Sequence, residues 1–299
     1  MIQVSVLIPT LRRPESFRRA ALSVFAQQGV RFELIAIDNS AEGSALSLFA
    51  ELAANAPIPF RFAHEPRPGV AHARNAALAL AQGDLVAWLD DDEEALAGWL
   101  AALVAARVET GAQSVFGPVR ALALSGGRWR AFLENLYART GGAENSALTQ
   151  AHGIGNSLQP RAMFDSAEFD PGANQSGGED DRIFASWSHA GAGFAWAADA
   201  HVIEHVEGKR AELGHGLKRA FAYGQGPCET AWSERNYITL ARHMGVGAAQ
   251  FCFYSAATLI AAATRNAHAL AHLDQAARGA GKMFWFFEQR FYGLTLAKA

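Results

Sequence analysis

The sequence predicts an α/β protein in which a mostly parallel central sheet carries helices on both faces, followed by a helical carboxyl-terminal region. Two observations support this prediction. In the first part of the chain, short apolar runs alternate with segments of helical periodicity, and strands that alternate with helices favour parallel pairing. From about residue 212 onward, the apolar residues follow helical spacing.

Five short apolar runs are predicted to be strands, because each is bounded by polar or turn-forming residues. They occupy residues 4–8, 32–37, 60–62, 85–89 and 114–119. Helical periodicity separates them, at residues 14–27, 44–54, 71–81 and 96–110. Pro14 suits the start of the first helix, where a backbone N–H is not needed. The Pro68-Gly69 pair predicts a turn before the third helix.

Residues 141–178 are polar and rich in glycine, with few long periodic runs. A long irregular segment inside a compact domain is usually functional, as a lid or as a binding loop. We therefore expect this segment to contribute to a site.

The helical region contains one long uncharged segment. Residues 244–263 carry no charged side chain over 20 positions, a length that can span a bilayer. Gln250, Ser255 and Thr258 lower its hydrophobicity, so a buried or interfacial helix is the alternative. Residues 282–292 then mix aromatic and basic side chains. That mixture is typical of an interfacial anchor, and equally of a packed terminal helix.

Composition narrows the class of protein. Half of the 299 residues are hydrophobic, which is enough for one large core or for one domain with a helical appendage. A net charge of −3 argues against a general nucleic-acid binder. Cys228 and Cys252 give neither a disulfide framework nor a metal-binding spacing, which fits the reducing cytosol. No secretory signal is recognisable at the start of the sequence.

Charge is unevenly distributed along the chain. From Lys209 onward there are 11 lysines and arginines against 5 acids, a balance of +6, and the preceding residues have 15 against 24, a balance of −9. An acidic front part suits a site that binds a cation. A basic, aromatic rear part suits an anionic membrane surface, although similar asymmetry occurs in many soluble enzymes.

Three consecutive aspartates, Asp90, Asp91 and Asp92, follow the apolar run 85–89. Open α/β sheets bind ligands at the carboxyl ends of their strands, where these acids are expected to lie. Clustered carboxylates repel one another unless a cation or hydrogen-bond donors compensate, and such oxygen ligands suit Mg²⁺ or Mn²⁺. Because Glu93 and Glu94 come next, an acidic helix N-terminus is the alternative interpretation.

A second acidic cluster follows two glycines, Gly177 and Gly178, and consists of Glu179, Asp180 and Asp181. The apolar spacing after it predicts a helix whose first turn carries these acids. A carboxylate there can act as a general base in a cleft, or it can simply stabilise the helix end. Two acidic clusters at element boundaries favour one shared site over two unrelated helix caps.

Five fragments occur in order along the chain, at residues 4–10 with Arg12, 37–40, 69–75, 89–93 and 178–180. In this order and spacing they resemble the family 2 glycosyltransferases, inverting sugar transferases with the nucleotide-sugar-binding GT-A fold. The whole chain looks most like bacterial glucosyltransferases of succinoglycan-type exopolysaccharide assembly. The resemblance implies a catalytic domain over residues 1–210 and a helical carboxyl-terminal region, a candidate for membrane association, over residues 211–299.

The resemblance also implies a role for each matched side chain. Asp180 would be the catalytic base, and Asp92 would ligate a Mn²⁺ or Mg²⁺ ion. Asp38 would hold the uracil, Arg74 would approach the base or the diphosphate, and Asp90 would contact ribose or a metal-bound water. The full set of side chains implied in substrate binding is Pro9, Thr10, Arg12, Asp38, Asn39, Arg74, Asp90, Asp91 and Glu179.

Two departures from the family pattern affect these roles. Family members often carry a histidine near the end of the catalytic domain, where this chain has Ile203. His201 or His205 can replace it as a metal ligand, and His205 is our candidate, although a lone histidine is more often structural. Asp181-Arg182 also replaces the usual Thr-Asp or Thr-Glu pair, which bears on acceptor contacts and not on the base.

The function implied by the resemblance is metal-dependent, inverting transfer of a hexose, with glucose as the first choice, from a UDP-sugar to a lipid-linked or growing oligosaccharide. The protein would work in the cytoplasm, at the inner face of the cytoplasmic membrane, without nucleic acid. A sugar nucleotidyltransferase is one alternative, but it needs a glycine-rich loop after the first strand, and residues 8–13 contain no glycine. A non-catalytic sugar-binding or scaffold protein is the other, and the presence of both Asp92 and Asp180 argues against it.

Overall fold

The structure, a computed structural model, describes residues 2–165, 168–173, 178–266 and 268–287. Gly177 of the second acidic cluster and residues 288–292 of the aromatic and basic segment lie outside these ranges. The described chain forms two compact units. Residues 2–121 and 138–205 make the first unit, and residues 122–137 and 206–287 make the second.

The first unit holds the strands and five of the described α-helices. Its strands are β1 (Val4–Thr10), β2 (Phe32–Asp38), β3 (Phe60–His64), β4 (Leu85–Trp88), β5 (Glu93–Ala95), β6 (Ser114–Phe116), β7 (Val119–Leu122, whose last residue begins the second unit), β8 (Ser146–Leu148), β9 (Ser157–Pro160), β10 (Phe194–Trp196) and β11 (Val202–His205). Its helices are α1 (Pro14–Phe25), α2 (Leu46–Ala54), α3 (Val70–Leu80), α4 (Trp99–Thr110) and α6 (Glu179–His189), with short 3₁₀ turns at Arg161–Asp165 and Pro171–Ala173.

The large sheet has the strand order β3-β2-β1-β4-β9-β6-β10-β8. Its first four strands pair in parallel, as the alternation of strands and helices predicts. Beyond β4 the sheet is mixed, because β9 runs antiparallel to both β4 and β6, and β8 runs antiparallel to β10. Both antiparallel strands come from the glycine-rich segment 141–178, whose weak periodicity concealed them.

Each face of this sheet has its own apolar core, which confirms the predicted helices on both faces. Alternate residues of β1 point to opposite sides, so that Val6 and Ile8 join one core and Leu7 joins the other. Helices α1, α2 and α4 cover the first face, and helices α3 and α6 cover the second. Trp99 is a large, fully buried side chain of the first core, and Trp88 is one of the second.

A small sheet of β5, β11 and β7 lies within the first unit. Glu93 of β5 pairs with Glu204 of β11, and Ala95 pairs with Val202, in antiparallel register. Helix α4 begins only at Trp99, after Gly98 in the left-handed conformation with φ of 83°. The interpretation of the three aspartates as an acidic helix N-terminus is therefore wrong, since Asp91 and Asp92 lie in a turn and strand β5 follows directly.

The second unit is helical, as predicted for the end of the chain. It contains α5 (Arg130–Tyr137), α7 (Leu213–Ser233), α8 (Tyr237–Ala263) and α9 (Ala269–Met283), with 3₁₀ turns at Leu124–Trp129 and Gly208–Ala211. Glycines allow the backbones of helices α7 and α9, and those of α8 and α9, to approach each other closely. A Cβ atom on Gly224 of α7 would lie 2.1 Å from the carbonyl oxygen of Arg278, and one on Gly279 of α9 would lie 2.6 Å from the amide nitrogen of Phe251.

Within the described residues, one helix is long and apolar enough to cross a membrane, and it is α8. Its most apolar window is only 11% buried, so packing inside the protein does not account for its composition. A span and an interfacial helix therefore stay predictions for residues 244–263, which rest on length and composition.

Candidate active site

The first acidic cluster lies at the carboxyl end of β4, next to the end of β1, because these two strands are parallel neighbours. The Thr10 hydroxyl donates a hydrogen bond to Asp91 Oδ2, at 2.6 Å. Arg13, which precedes helix α1, donates from Nη1 to Asp91 Oδ1 at 3.1 Å and to Asp92 Oδ2 at 2.9 Å. The buried carboxylates of Asp91 and Asp92 are thus held in place from the β1–α1 turn.

Electrostatics at this cluster favour added positive charge. Burial raises the pKa of Asp91 to about 6, and the nearby Asp92 carboxylate adds to the rise, while Arg13 and Thr10 oppose it. Among the described residues, no group of three histidine, cysteine or acidic side chains is arranged to hold a metal ion. Mg²⁺ commonly takes only one or two protein carboxylates and completes its shell with substrate phosphates and water. The acidic cluster fits a cation of that kind.

Asp38 and Asn39, at the end of β2, are both engaged with the backbone of neighbouring loops. Asp38 is fully buried, and its two carboxylate oxygens accept hydrogen bonds from the backbone N–H groups of Ser40, at 2.8 Å, and Ala45, at 2.5 Å. The Asn39 side chain donates to the carbonyls of residues 65 and 67 and accepts from the N–H of residue 69. Both side chains therefore shape the loops at this edge of the sheet.

The other side chains expected beside the nucleotide differ in exposure. Pro9 lies in β1, opposite Ile37 of β2. Arg12 has a left-handed backbone, with φ of 55°, and its exposed guanidinium makes two hydrogen bonds to Glu42, at 2.7 and 3.0 Å. The Arg12 side chain is thus at the surface, where it is paired with an acid.

Arg74 of α3 and Glu179 of α6 form a buried ion pair through Nη1 and Oε1. Their side chains are only 8% and 5% exposed. The Arg74 guanidinium also lies over the ring of Phe169, at 5.4 Å, and over that of Trp88, at 6.0 Å. The structure thus brings together two predicted substrate-binding residues, and it places their charges against each other.

Asp180 and Asp90 meet the same glycine-containing loop, residues 153–156. The N–H of Ile154 donates to Asp180 Oδ2, at 3.1 Å. At the next residue, Gly155, a Cβ atom would lie 2.6 Å from Asp90 Oδ2, so only glycine allows this close approach. The two acidic clusters, 90 residues apart in the sequence, therefore lie against adjacent residues of one loop.

The two candidate histidines lie on or beside β11. The N–H of His205 donates to the Asp92 carbonyl, at 2.8 Å, which places its backbone beside the acidic cluster. Its ring Nε2 lies 3.0 Å from Glu94 Oε2. His201 is exposed, and its carbonyl accepts a hydrogen bond from Leu96. The His205 ring is thus engaged with an acid outside the Asp90–Asp92 cluster.

Comparison with known proteins supplies the family. Residues 5–165 match the family model described as Glycosyl transferase family 2. The chain is also 30% identical, over 283 residues, to the succinoglycan biosynthesis protein ExoM of Rhizobium meliloti, a match that covers 90% of this chain and 89% of that protein. The chain belongs to glycosyltransferase family 2.

Solved structures of similar fold include a mannosyltransferase and a protein solved with UDP. The mannosyltransferase PcManGT from Pyrobaculum calidifontis, solved with GDP-Man and Mn²⁺, has a TM-score of 0.66 at 17% identity, over 96% of this chain and 88% of that one. TarS 1–349 of S. aureus, solved with UDP, has a TM-score of 0.55 at 14% identity, over 93% and 90%. Another structure of TarS 1–349 is matched over only 64% of its length. These neighbours confirm the predicted GT-A fold.

Three side chains of this family 2 glycosyltransferase were not identified from the sequence. Arg13 was overlooked beside Arg12, although its place before Pro14, at the start of a helix that follows β1, was a usable signal. Arg139 contacts the loop 153–156, and no motif surrounds it. Glu93 is buried next to Asp90, and burial raises its pKa well above the ordinary value, with Asp90 and Glu204 adding to the rise. The sequence around Glu93 does not reveal this burial, because it results from the pairing of β5 with the distant strand β11.

Proposed function

We propose that the protein is a metal-dependent, inverting hexosyltransferase of exopolysaccharide synthesis. It would move a hexose, glucose as the first choice, from a UDP-sugar to a hydroxyl of a lipid-linked or growing oligosaccharide. One observation carries the proposal: Asp90 and Asp180 lie against adjacent residues of the loop 153–156. Asp90, on the side of the sugar donor, and Asp180, the proposed base, would therefore border one site. Transfer by a single displacement requires the donor and the base to meet in this way.

The related proteins support a nucleotide-sugar donor. ExoM is named a succinoglycan biosynthesis protein, PcManGT was solved with GDP-Man and Mn²⁺, and TarS 1–349 was also solved with UDP-GlcNAc. The nucleotide and the sugar differ between the two solved structures, so the donor of this protein has to be measured.

On the donor side, we place Asp92 as a ligand of a Mn²⁺ or Mg²⁺ ion, with Asp90 beside it or on the ribose. The bound ion would neutralise negative charge on the departing nucleoside diphosphate. Thr10 and Arg13 hold Asp91 and Asp92 in position for this task. We leave His205 out of the ligand set, because ligation through Nε2 would require its contact with Glu94 to be exchanged.

The roles of the buried residues change from those that the resemblance implies. Asp38 is fully buried, and each of its carboxylate oxygens already accepts one backbone hydrogen bond. We therefore propose that Asp38 and Asn39 act by shaping the nucleotide pocket, while Pro9, Thr10 and Arg12 line it. Arg74 and Glu179 act through each other, as a support for the start of α6.

On the acceptor side, Asp180 would remove the proton of the attacking hydroxyl group. The N–H of Ile154 holds one carboxylate oxygen, at 3.1 Å, and the N–H of Asp181 holds the other, at 3.0 Å. Each oxygen retains a second lone pair for the hydroxyl. Attack from the face opposite the diphosphate inverts the anomeric carbon. One base is sufficient, since a diphosphate leaves without being protonated.

A thermal-shift panel of nucleotide sugars tests this function. With UDP-glucose, UDP-galactose, UDP-GlcNAc and GDP-mannose, each with and without Mn²⁺, we expect one UDP-sugar to raise the melting temperature most, and only with Mn²⁺. Binding at a hundred times Kd stabilises the folded state by about 2.7 kcal/mol. Asp92→Asn should lose this Mn²⁺-dependent shift.

Asp84→Asn is the matched control for the panel, because Asp84 is an exposed acid just before β4, at the opposite end of that strand from Asp92. It should keep the full shift. Equal shifts for wild type and Asp92→Asn would contradict the metal role of Asp92. The absence of any shift across the panel would favour the scaffold alternative.

We further propose that helix α8 brings the enzyme to the inner face of the cytoplasmic membrane, where a lipid-linked acceptor would lie. Its 27 residues extend about 40 Å, and no charged side chain occurs between Arg242 and Arg265. Val246, Phe253 and Ile260 recur at intervals of seven residues on its exposed face, with 51%, 67% and 67% exposure. Such a face suits the acyl region of a bilayer, and the flanking arginines suit anionic headgroups.

Replacing Phe253 and Ile260 together with glutamate should reduce binding to vesicles of phosphatidylglycerol and phosphatidylethanolamine at least about tenfold, because two charges would enter the apolar region. Co-sedimentation with the vesicles measures the effect. Val108→Glu is the control, since Val108 of α4 is 76% exposed and should not affect binding. Unchanged sedimentation of the double variant would rule out α8 as the membrane contact.

A further inference from the structure

Arg139 connects two segments of the first unit through its guanidinium group. Nε donates to the Gly117 carbonyl at 2.8 Å, and Nη1 donates to that of Gly153 at 2.7 Å. Nη2 donates to the carbonyls of Gly155, at 2.5 Å, and Asn156, at 3.2 Å. All three nitrogens are thus used on backbone oxygens, and three of the four acceptors belong to the loop 153–156.

Both proposed functional acids lie against the same loop. Ile154 donates its N–H to Asp180, and Gly155 lies against the Asp90 carboxylate. Two of the four carbonyls that Arg139 holds, those of Gly153 and Gly155, lie on either side of Ile154. The position of this arginine therefore sets where the Ile154 N–H points and how closely the loop approaches Asp90.

Arg139 is also positioned among negative charges. Asp90, Glu93, Asp180 and Glu204 all interact favourably with its guanidinium. Glu93 and Glu204 are almost fully buried, at 4% and 9% exposure. A buried carboxylate needs a compensating positive charge or hydrogen-bond donors. Arg139 supplies positive charge to these two and to the half-buried Asp90 and Asp180.

We propose that Arg139 is a positioning residue of the transfer reaction, which holds the loop 153–156 so that Asp90 and Asp180, which both lie against this loop, keep their relative positions. This inference rests on the proposed function of those two acids. It assigns Arg139 no contact with substrate, because four of its five N–H donors are directed at backbone carbonyls.

The shape of the arginine side chain matters as much as its charge. A planar guanidinium presents five N–H donors in a rigid fork, whereas a lysine ammonium is a compact charge with three donors. Arg139→Lys keeps the positive charge near the four acids but cannot hold Gly117, Gly153 and Gly155 together. A displacement of about 1 Å at a reacting group can cost about 10²-fold in rate.

The test compares Arg139→Lys and Arg139→Ala with the wild-type protein. Release of UDP from UDP-glucose in the presence of Mn²⁺ gives kcat and KM, calorimetry gives the Kd for UDP, and hydrogen exchange reports the Ile154 amide. Both variants should lose about 10²-fold in kcat while the Kd for UDP changes by less than about twofold. The Ile154 amide should exchange faster, and added guanidinium should partly restore Arg139→Ala but not Arg139→Lys.

Arg120→Ala is the control, since Arg120 is an exposed arginine of β7, and it should behave as wild type. Wild-type kcat in Arg139→Lys would overturn the proposal, and so would a parallel loss of kcat and UDP affinity. If Arg139→Ala does not fold, Arg139→Lys decides the outcome. If the wild-type protein itself releases no UDP from any UDP-sugar, the proposed function fails, which is a distinct result.

Discussion

Replacing Asp180 with asparagine is expected to abolish sugar transfer while the affinity for UDP is kept. The proposed base must accept the proton of the attacking hydroxyl group, and a neutral carboxamide does not do so. Removal of a general base typically costs 10²–10⁴-fold in rate, so kcat should fall at least about 10²-fold. Release of UDP from UDP-glucose measures kcat, and calorimetry with UDP and Mn²⁺ measures the affinity.

The variant should fold, because asparagine keeps most of the contacts of the aspartate. Asp180 accepts one hydrogen bond from Ile154 and one from the N–H of Asp181. Asparagine retains one acceptor oxygen, and the loss of a single hydrogen bond costs about 1 kcal/mol. The affinity for UDP should change little, since in the proposed arrangement Asp180 contacts the acceptor hydroxyl and not the nucleotide.

Asp181→Asn is the matched control, because Asp181 has the same side chain in the same helical turn. Asp181 is exposed, and it lies beside the charges of Asp180 and Glu179. Removing its charge should leave most of the activity. If Asp181→Asn is as inactive as Asp180→Asn, or if Asp180→Asn also loses UDP affinity, Asp180 is not the base.

The features that the sequence predicted well are those with local signals. The first turn of α6 was expected to carry Glu179, Asp180 and Asp181, and the structure has these acids there. The apolar run before Asp90 forms β4, a parallel neighbour of β1. In both cases, the spacing of a few adjacent residues is sufficient to predict the type of element and the place of the acids at its end.

The features that were missed depend on residues far away in the chain. Strand β5 is three residues long and contains two glutamates, and it forms because β11, more than 100 residues later, pairs with it. The partner of Arg74 is 105 residues away, so its position on α3 could not reveal a buried ion pair. Asp38 accepts hydrogen bonds from the backbone N–H groups of Ser40 and Ala45, and a polar residue at a strand end gives no sign of such partners.

Breaking the Arg74–Glu179 pair should give the largest loss of stability of any substitution considered. Burial raises the pKa of Glu179, and the Arg74 guanidinium opposes that rise. Arg74→Met leaves a carboxylate without its partner in an apolar setting, and loss of one member of a buried pair typically costs about 3–5 kcal/mol. The free energy of unfolding from urea titrations measures the effect.

The double variant Arg74→Met/Glu179→Leu tests whether the cost arises from the unpaired charge. Replacing both members of a buried pair with apolar side chains is often close to neutral, so the double variant should be more stable than either single variant. Arg18→Met is the control, because Arg18 pairs with Glu51 at the surface and such pairs contribute little. Additive losses in the double variant would show that the two charges do not depend on each other.

The same variants also separate two roles for Arg74. If Arg74 contacts the nucleotide, as the resemblance implies, Arg74→Met should weaken UDP binding much more than Glu179→Leu does. If Arg74 acts by holding Glu179, both variants should keep UDP affinity and lose kcat by similar factors, because Asp180 is the next residue along α6. The geometry of the pair, with the Arg74 guanidinium enclosed by Glu179, Phe169 and Trp88, leads us to expect the second result.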